Sequence, residues 1–343
     1  MSADDRTVAA QRALSPTSPR DAALAPNMPQ QALSVAIVIP CYNVARHIAD
    51  VIRSIPAQYR CIVCVDDASS DDTLAVIAAV ADERVRVVRH AENRGVGAAT
   101  MSGYSAALEL GAGICVKMDG DGQMSAADIG ALVAPLLQGK AEYAKGNRFV
   151  DQEQLRVMPP LRLFGNAALS FANKAVSGYW NLLDPTNGFT AVRSDILRRI
   201  AFARLHERYF FETSLLIELN ILGARIADVV MPARYGDERS SLRISRVLAT
   251  FPGLLLRGAL RRFYWRYLVL DFNVTSICVL LGTPLCAFGL LFGSYHWWLS
   301  AKTGVIASPG TVLLAALPII MGFQLLLGAA ILDVVASPNR RIE

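Results

Sequence analysis

The chain has 343 residues, of which 53% are hydrophobic and 18% charged, with 34 basic against 29 acidic side chains and a net charge of +5. So apolar a composition excludes global disorder, and so modest a charge excludes a nucleic-acid binder driven by charge alone. The mean hydropathy of +0.35 on an ordinary charge balance implies a soluble part joined to membrane segments, and the length allows roughly two domains.

Residues 1–31 are rich in Ala, Pro, Ser and Gln, with no apolar core before Leu33. This reads as a disordered tail over 1–32 without a signal peptide. From residue 33 short apolar runs alternate with helical patterns. Val35–Pro40, Cys61–Val65 and Val85–Val88 read as strands, and Ile48–Ile55 and a segment from about Asp72 read as helices. That alternation indicates an α/β unit with a parallel sheet, whose ligands bind at the carboxyl ends of the strands. Cys61 and Cys64 have the spacing of half a zinc site but lie inside an apolar strand with no second pair nearby, so buried reduced thiols are the expectation.

Polar residues collect at the strand ends. The first strand runs into Pro40-Cys41-Tyr42-Asn43, and the second into Asp66-Asp67-Ala68-Ser69-Ser70-Asp71-Asp72. Ser69 or Ser70 can cap the following helix, with Asp71 and Asp72 at the positive end of its dipole. That leaves Asp66 and Asp67 unexplained at the strand end, where a carboxylate can accept hydrogen bonds from a ribose or base edge and Tyr42 can offer a flat face. Arg94-Gly95-Val96-Gly97 looks like the opening of a dinucleotide fingerprint. It follows a third strand, and Thr100 replaces the last glycine, so the expectation is that Gly95 and Gly97 let a helix start close against the sheet. A fourth strand, Ile114–Met118, leads into Asp119-Gly120-Asp121-Gly122-Gln123. Two carboxylates one residue apart can converge on Mg²⁺ or Mn²⁺ bridging a diphosphate, although an acidic Asp-Gly turn has the same sequence.

Leu155–Val176 and Leu242–Tyr267 mix Arg or Lys with Leu, Phe and Trp at helical spacing. They suit a membrane interface, with core-packing helices as the alternative. Val274–Phe292 and Thr311–Leu332 contain no charged side chain, and each is long enough to cross a bilayer. Between them a short loop carrying Tyr295, Trp297 and Trp298 suits an interfacial aromatic belt. Arg257, Arg261, Arg262 and Arg266 precede the first span, and Arg340 and Arg341 follow the second. The positive-inside rule therefore places both termini, and everything before residue 266, in the cytoplasm.

The ordered motifs Ile37–Asn43, Val65–Ser69, Asn93–Ala98 and Asp119–Gln123 resemble the family 2 glycosyltransferases of the GT-A fold. Gly146-Asn147-Arg148-Phe149, Asp184–Phe189 and Arg234–Ser241 are similar to the branch that contains dolichol-phosphate mannose synthase and the polyprenyl-phosphate glycosyltransferases. The resemblance implies an α/β GT-A domain over 33–241, amphipathic juxtamembrane helices over 242–267, two transmembrane helices over 268–336 and a cytoplasmic tail over 337–343. It implies donor contacts from Pro40, Tyr42, Asn43, Asp66 and Asp67, and a Mg²⁺ or Mn²⁺ ion on Asp119, Asp121 and Gln123. Two departures stand out: Val44 follows Asn43 where the branch often has Glu, and Ser241-Leu242-Arg243 replaces the usual Ser-Lys ending.

The implied reaction moves one sugar from a UDP- or GDP-sugar to polyprenyl phosphate, with inversion. A lipid monophosphate, with a second pKa of about 6, is largely dianionic at neutral pH and needs no base. It needs cations, and Arg148, Arg162, Arg239 and Arg243 are the candidates. Transfer to the hydroxyl of a lipid-linked saccharide is the alternative; it would require a base, for which Glu212 is the one candidate. A nonenzymatic scaffold would not need the Asp119, Asp121 and Gln123 set. No Gln-x-x-Arg-Trp motif of processive synthases is present, and no nucleic-acid partner is expected. A homo-oligomer is left open.

Overall fold

The computed structural model describes residues 34–147, 160–185, 187–231 and 244–338. Seven strands form one sheet: β1 (Val35–Cys41), β2 (Cys61–Asp66), β3 (Val85–Arg89), β4 (Ile114–Lys117), β5 (Tyr143–Asn147), β6 (Thr190–Arg193) and β7 (Ile226–Val230). Their order is β3-β2-β1-β4-β6-β5-β7, and β6 alone runs antiparallel to its neighbours. Strands β1, β2 and β4 are buried along nearly their whole length, as continuous apolar runs require when both faces of a sheet are covered. Helices α1 (Ile48–Ser54), α2 (Thr73–Ala79), α3 (Val96–Glu109) and α4 (Ile129–Leu137) link the parallel strands. This is the GT-A-like mixed sheet that the resemblance implies.

The topology places the cleft. The chain lays β1, β2 and β3 outward in one direction, then returns to put β4 on the other side of β1. The switch point lies between β1 and β4, and in open α/β sheets the ligand crevice lies at the carboxyl ends of such a strand pair. The register pairs Val38 of β1 with Lys117 of β4, so Tyr42 and Asp119 both follow the sheet at its carboxyl edge. A Cβ on Gly120 would touch Val44, Ile39 and Ile48 at 3.3–3.5 Å. The acidic turn therefore rests directly on the segment after β1.

Cys61 and Cys64 sit three residues apart in β2 and so point to opposite faces of the sheet. They cannot meet at one ion.

Beyond the sheet lie α5 (Pro160–Ser177), α6 (Ser194–Leu197), α7 (Phe211–Ile221) and α8 (Ile244–Arg262), the last continued by a wider-turned segment over Phe263–Leu270. Both amphipathic stretches expected from the sequence thus contain helices. Leu256, Leu260 and Tyr264, each more than half exposed and four residues apart, form an apolar stripe on the outside of α8 and its continuation. Two long apolar helices follow, α9 (Val274–Thr303) and α10 (Pro309–Val335), both long enough to cross a bilayer. They pack as a hairpin, with Gly282 and Gly289 of α9 against the backbone of α10, as small residues permit in apolar helix pairs. One expectation needs correction. Tyr295, Trp297 and Trp298 are not in a loop, because α9 continues to Thr303 and only residues 304–308 connect the helices.

Candidate active site

The turn after β1 is held by the loop after β2. Asn43 adopts a left-handed conformation (φ +55°) that short amide side chains tolerate. Its Oδ1 accepts from the amide and hydroxyl of Ser70 at 2.8 and 3.2 Å, and its own N–H donates to Ser69 Oγ at 3.1 Å. The amide of Val44 donates to Thr73 Oγ1 at 2.9 Å and that of Ala45 to Asp71 Oδ2 at 3.1 Å. These contacts correct the reading of Ser69 and Ser70 as helix caps: α2 begins after Asp72 with no side-chain cap, and the serines fasten one loop to the other. Partial burial pushes the Asp71 carboxyl up, but hydrogen bonds from Thr73 and from the Ala45 amide prevail and hold it below the ordinary range. Tyr42, 51% exposed at the head of this turn, is left facing outward.

Asp66 and Asp67 are both buried. Asp66 Oδ1 accepts the Ser69 amide at 3.2 Å. Asp67 takes His90 Nδ1 at 2.7 Å and the Arg94 amide at 3.0 Å on Oδ1, and the Gly95 amide at 2.7 Å on Oδ2. It therefore holds the start of α3 in place. Here a second expectation changes. Gly95 and Gly97 do make a close approach, but to the backbone and side chains of residues 206–208 rather than to the sheet. A Cβ on Gly95 would stand 2.8 Å from Glu207 O, and Ala98 N donates to that same oxygen.

At the end of β4 the decisive residue is one the sequence reading passes over. Lys117 is 1% exposed. Its Nζ donates to Asp119 Oδ1 at 2.8 Å and to the Gly188 carbonyl at 3.3 Å, and lies 3.3 Å from Glu212 Oε1. Burial alone would lower its pKa, but the adjacent Asp119 and Glu212 carboxylates outweigh that and raise it above the ordinary lysine value. A lysine inside an apolar strand, two residues before an acidic pair, was the available signal, since lysine is seldom buried unpaired. Gly188 belongs to the same knot: a Cβ there would stand 2.7 Å from both Asp119 Oδ2 and Lys117 Nζ. Asn187 fixes the approach through Nδ2 to Gly146 O (2.7 Å) and through Oδ1 from Phe189 N (3.0 Å).

Asp119 and Glu212 thus meet at Lys117, and in the turn that follows the Gln123 backbone N–H donates to Asp121 Oδ1 at 3.0 Å. Among the described residues no three His, Cys, Asp or Glu side chains gather as a metal cage. A pair of carboxylates is nevertheless the donor set that Mg²⁺ commonly uses when substrate phosphates and water complete its shell. Asp119, with 31% of its side chain exposed and Lys117 on only one of its oxygens, fits that role. Arg148, Arg239 and Arg243 lie outside the described residues. Arg162 is in the first turn of α5, and its side chain is outside the described part.

Comparison with known proteins points to one family. Residues 36–201 match Glycosyl transferase family 2. The chain is 30% identical over 190 residues to UDP-N-acetylglucosamine–dolichyl-phosphate N-acetylglucosaminyltransferase of Methanococcus voltae, covering 51% of this chain and 75% of that one. It is 30% identical to the undecaprenyl-phosphate mannosyltransferase of Micrococcus luteus, covering 49% and 69% respectively. Among solved structures it resembles glucosyl-3-phosphoglycerate synthase from Mycobacterium tuberculosis in complex with UDP, with a TM-score of 0.50, 21% identity, and coverage of 68% and 81%. Another structure of that enzyme holds Mn²⁺ with UDP-glucose. The chain belongs to glycosyltransferase family 2.

Two stability measurements check the site. Lys117→Met strands two carboxylates and is expected to destabilise the domain by about 3–5 kcal/mol. Glu212→Gln added to it should cost less than the separate losses combined, with a coupling of about 0.5–3 kcal/mol in a double-mutant cycle. Because the folded pKa of Lys117 is raised, the pairing is fully present below the unfolded lysine value of about 10.4 and is lost only as pH rises through the folded one. The coupling should therefore be the same at about pH 7 and pH 9. Asp67→Ala leaves three donors without their acceptor and is expected to cost about 3 kcal/mol or more, read from the shift in denaturation midpoint.

Proposed function

We propose that this enzyme transfers one sugar from a UDP- or GDP-sugar to polyprenyl phosphate at the cytoplasmic membrane face, with inversion at the anomeric carbon. The observation that carries the reading is the path of α7. Its first turn places Glu212 on Lys117 in the cleft. Its far end is bonded to the juxtamembrane segment, where Arg261 Nε donates to Glu218 Oε1 at 2.6 Å and Arg266 Nη1 to Asn220 O at 3.1 Å. On this reading one helix of 11 residues joins the nucleotide-sugar site to the segment that leads into two bilayer-length helices. The named activities of the M. voltae and M. luteus relatives, both on polyprenyl-type phosphates, support the same acceptor.

In this reading Tyr42 lies against the nucleoside, with Pro40 and Asn43 shaping its turn and Asp66 and Asp67 holding the wall behind it. Asp119 and Asp121, with Gln123, hold Mg²⁺ or Mn²⁺, which neutralises charge on the donor diphosphate. Arg148, Arg162, Arg239 and Arg243 hold the acceptor phosphate. A phosphate oxygen attacks the anomeric carbon from the face opposite the diphosphate. The C–O bond to the diphosphate breaks, and the nucleoside diphosphate leaves with the electron pair. No proton needs to be abstracted, because the acceptor is already ionised. The engagement of Glu212 with Lys117 favours this over a hydroxyl acceptor, for which Glu212 would have to be the base. Both termini lie in the cytoplasm, and the short 304–308 connector lies on the opposite side.

Purified enzyme in detergent is expected to convert undecaprenyl phosphate, Mg²⁺ or Mn²⁺ and one of UDP-glucose, UDP-N-acetylglucosamine or GDP-mannose into a polyprenyl monophosphate bearing one sugar, seen by mass spectrometry. Asp121→Ala should lower the rate by about a hundredfold or more. Nucleotide binding without product from any donor would overturn the acceptor and favour a lipid-linked saccharide.

A further inference from the structure

A second buried polar cluster lies where the hairpin meets the catalytic domain. Asp333, near the end of α10, is 9% exposed, and Arg262, at the end of α8, is 8% exposed. The two Nη atoms of Arg262 reach Asp333 Oδ1 and Oδ2, each at 2.9 Å, so the pair is bidentate. Trp180 Nε1 donates to Oδ2 at 3.0 Å, and the Tyr267 hydroxyl donates to Oδ1. Arg262 also donates to Ala175 O at 3.1 Å. Its guanidinium fills the space where a side chain at position 178 would stand, and Gly178 itself has φ +76°, so glycine is required there twice over. The Tyr267 carbonyl accepts from Ser276 Oγ in the first turn of α9, where Asn273 closes a capping box. The end of α10, α8 with its continuation and the segment after α5 therefore meet at one carboxylate, and α9 is tied to the same cluster through Tyr267.

That carboxylate is connected to the cleft in two directions. Arg261, beside Arg262, is paired with Glu218 on α7, the helix whose first turn carries Glu212. Trp180 opens the segment in which Asp228 Oδ2 takes the Leu183 amide at 3.2 Å and whose Gly188 carbonyl accepts from Lys117. Apolar contact alone would hold the hairpin against the domain at several heights, because sliding one helix by a turn of about 5.4 Å preserves an apolar surface. A bidentate guanidinium–carboxylate fork permits one. We infer that the Arg262–Asp333 fork, with Trp180 and Tyr267, sets the height of the catalytic cleft relative to the membrane-spanning hairpin, and that Asp333 is a positioning residue for a membrane-embedded acceptor and not for the soluble donor. This inference rests on the polyprenyl-phosphate reading.

The test uses the full-length enzyme in phosphatidylethanolamine–phosphatidylglycerol vesicles, with whichever of UDP-glucose, UDP-N-acetylglucosamine and GDP-mannose supports transfer. For Asp333→Asn the KM for undecaprenyl phosphate in the bilayer should rise about tenfold or more, with the KM for the nucleotide sugar within about twofold. With a short-chain prenyl phosphate presented from solution, the same variant should stay within about twofold of the wild type. A general folding defect would depress both acceptors and the donor alike. Should Asp333→Asn fail to fold with Arg262 left unpaired, Arg262→Met/Asp333→Leu removes both charges and should show the same bilayer-selective loss. Equal losses with both acceptors, or no loss with the bilayer acceptor, would overturn the inference. If the wild type transfers to neither acceptor, the functional reading fails, and hydrogen exchange decides the anchorage. Faster exchange of the α7 amides in the variant, with β1 and β4 unchanged, supports it, and unchanged α7 exchange overturns it.

Discussion

Lys117 is a full positive charge buried at the end of the central strand β4, and much of the site is arranged around keeping it paired. An ammonium withdrawn from water is tolerated only beside compensating charge. Here it comes from Asp119 in the following turn and Glu212 on a separate helix, with the Gly188 carbonyl as a further acceptor. Satisfying one side chain thus fixes three pieces of chain that are far apart in sequence: the acidic turn after β4, the loop before β6 and the start of α7. Gly188 has no side chain because Lys117 and Asp119 already fill that space.

The same principle governs the other half of the crevice with a negative centre. Buried Asp67 gathers His90 and the amides of Arg94 and Gly95, so the start of α3 is tied to the end of β2. Around it Asn43, Ser69, Ser70, Asp71 and Thr73 exchange hydrogen bonds that hold the loops after β1 and β2 together. Both walls of the crevice are therefore set by buried polar groups whose partners are supplied from other elements. Beside these walls Tyr42, half exposed, and Asp119, with 31% of its side chain exposed, are left accessible.

This division explains what the sequence discloses. Strands β1, β2 and β4 were legible because continuous apolar runs bounded by polar clusters have few other readings, and the acidic turn was legible because its residues are adjacent. Ser69 and Ser70 were misread because capping is a local pattern, whereas their partner Asn43 lies 27 residues from Ser70. Gly95 and Gly97 announced a close approach without saying to what, since residues 206–208 lie more than a hundred positions on. Lys117 carried a signal in its surroundings, a charge within an apolar strand. Asp333 carried almost none. It lies one residue beyond an uncharged span and reads as the polar end of a helix until its partner, 71 positions away, is placed against it.

Charge decides what such a cleft can accept. Asp119, Asp121 and Glu212 bring three carboxylates, and Lys117 supplies one ammonium that is already bonded to two of them. The described core of the site is thus net negative, and a nucleotide diphosphate entering it would meet repulsion unless cations came with it or stood nearby. On the proposed reading, a divalent ion held by Asp119 and Asp121 would answer this on the donor side. In the same reading, an acceptor that is itself a dianion doubles the requirement, and Arg148, Arg162, Arg239 and Arg243 are the cations proposed to meet it. An uncharged hydroxyl acceptor would make no such demand, but would need a base, and Glu212 is engaged with Lys117. On the proposed reading, a cleft whose candidate base is engaged with Lys117 suits an acceptor that arrives already ionised, and α8, bonded to α7 through Arg261 and to the hairpin through Arg262, suits one that arrives in a membrane.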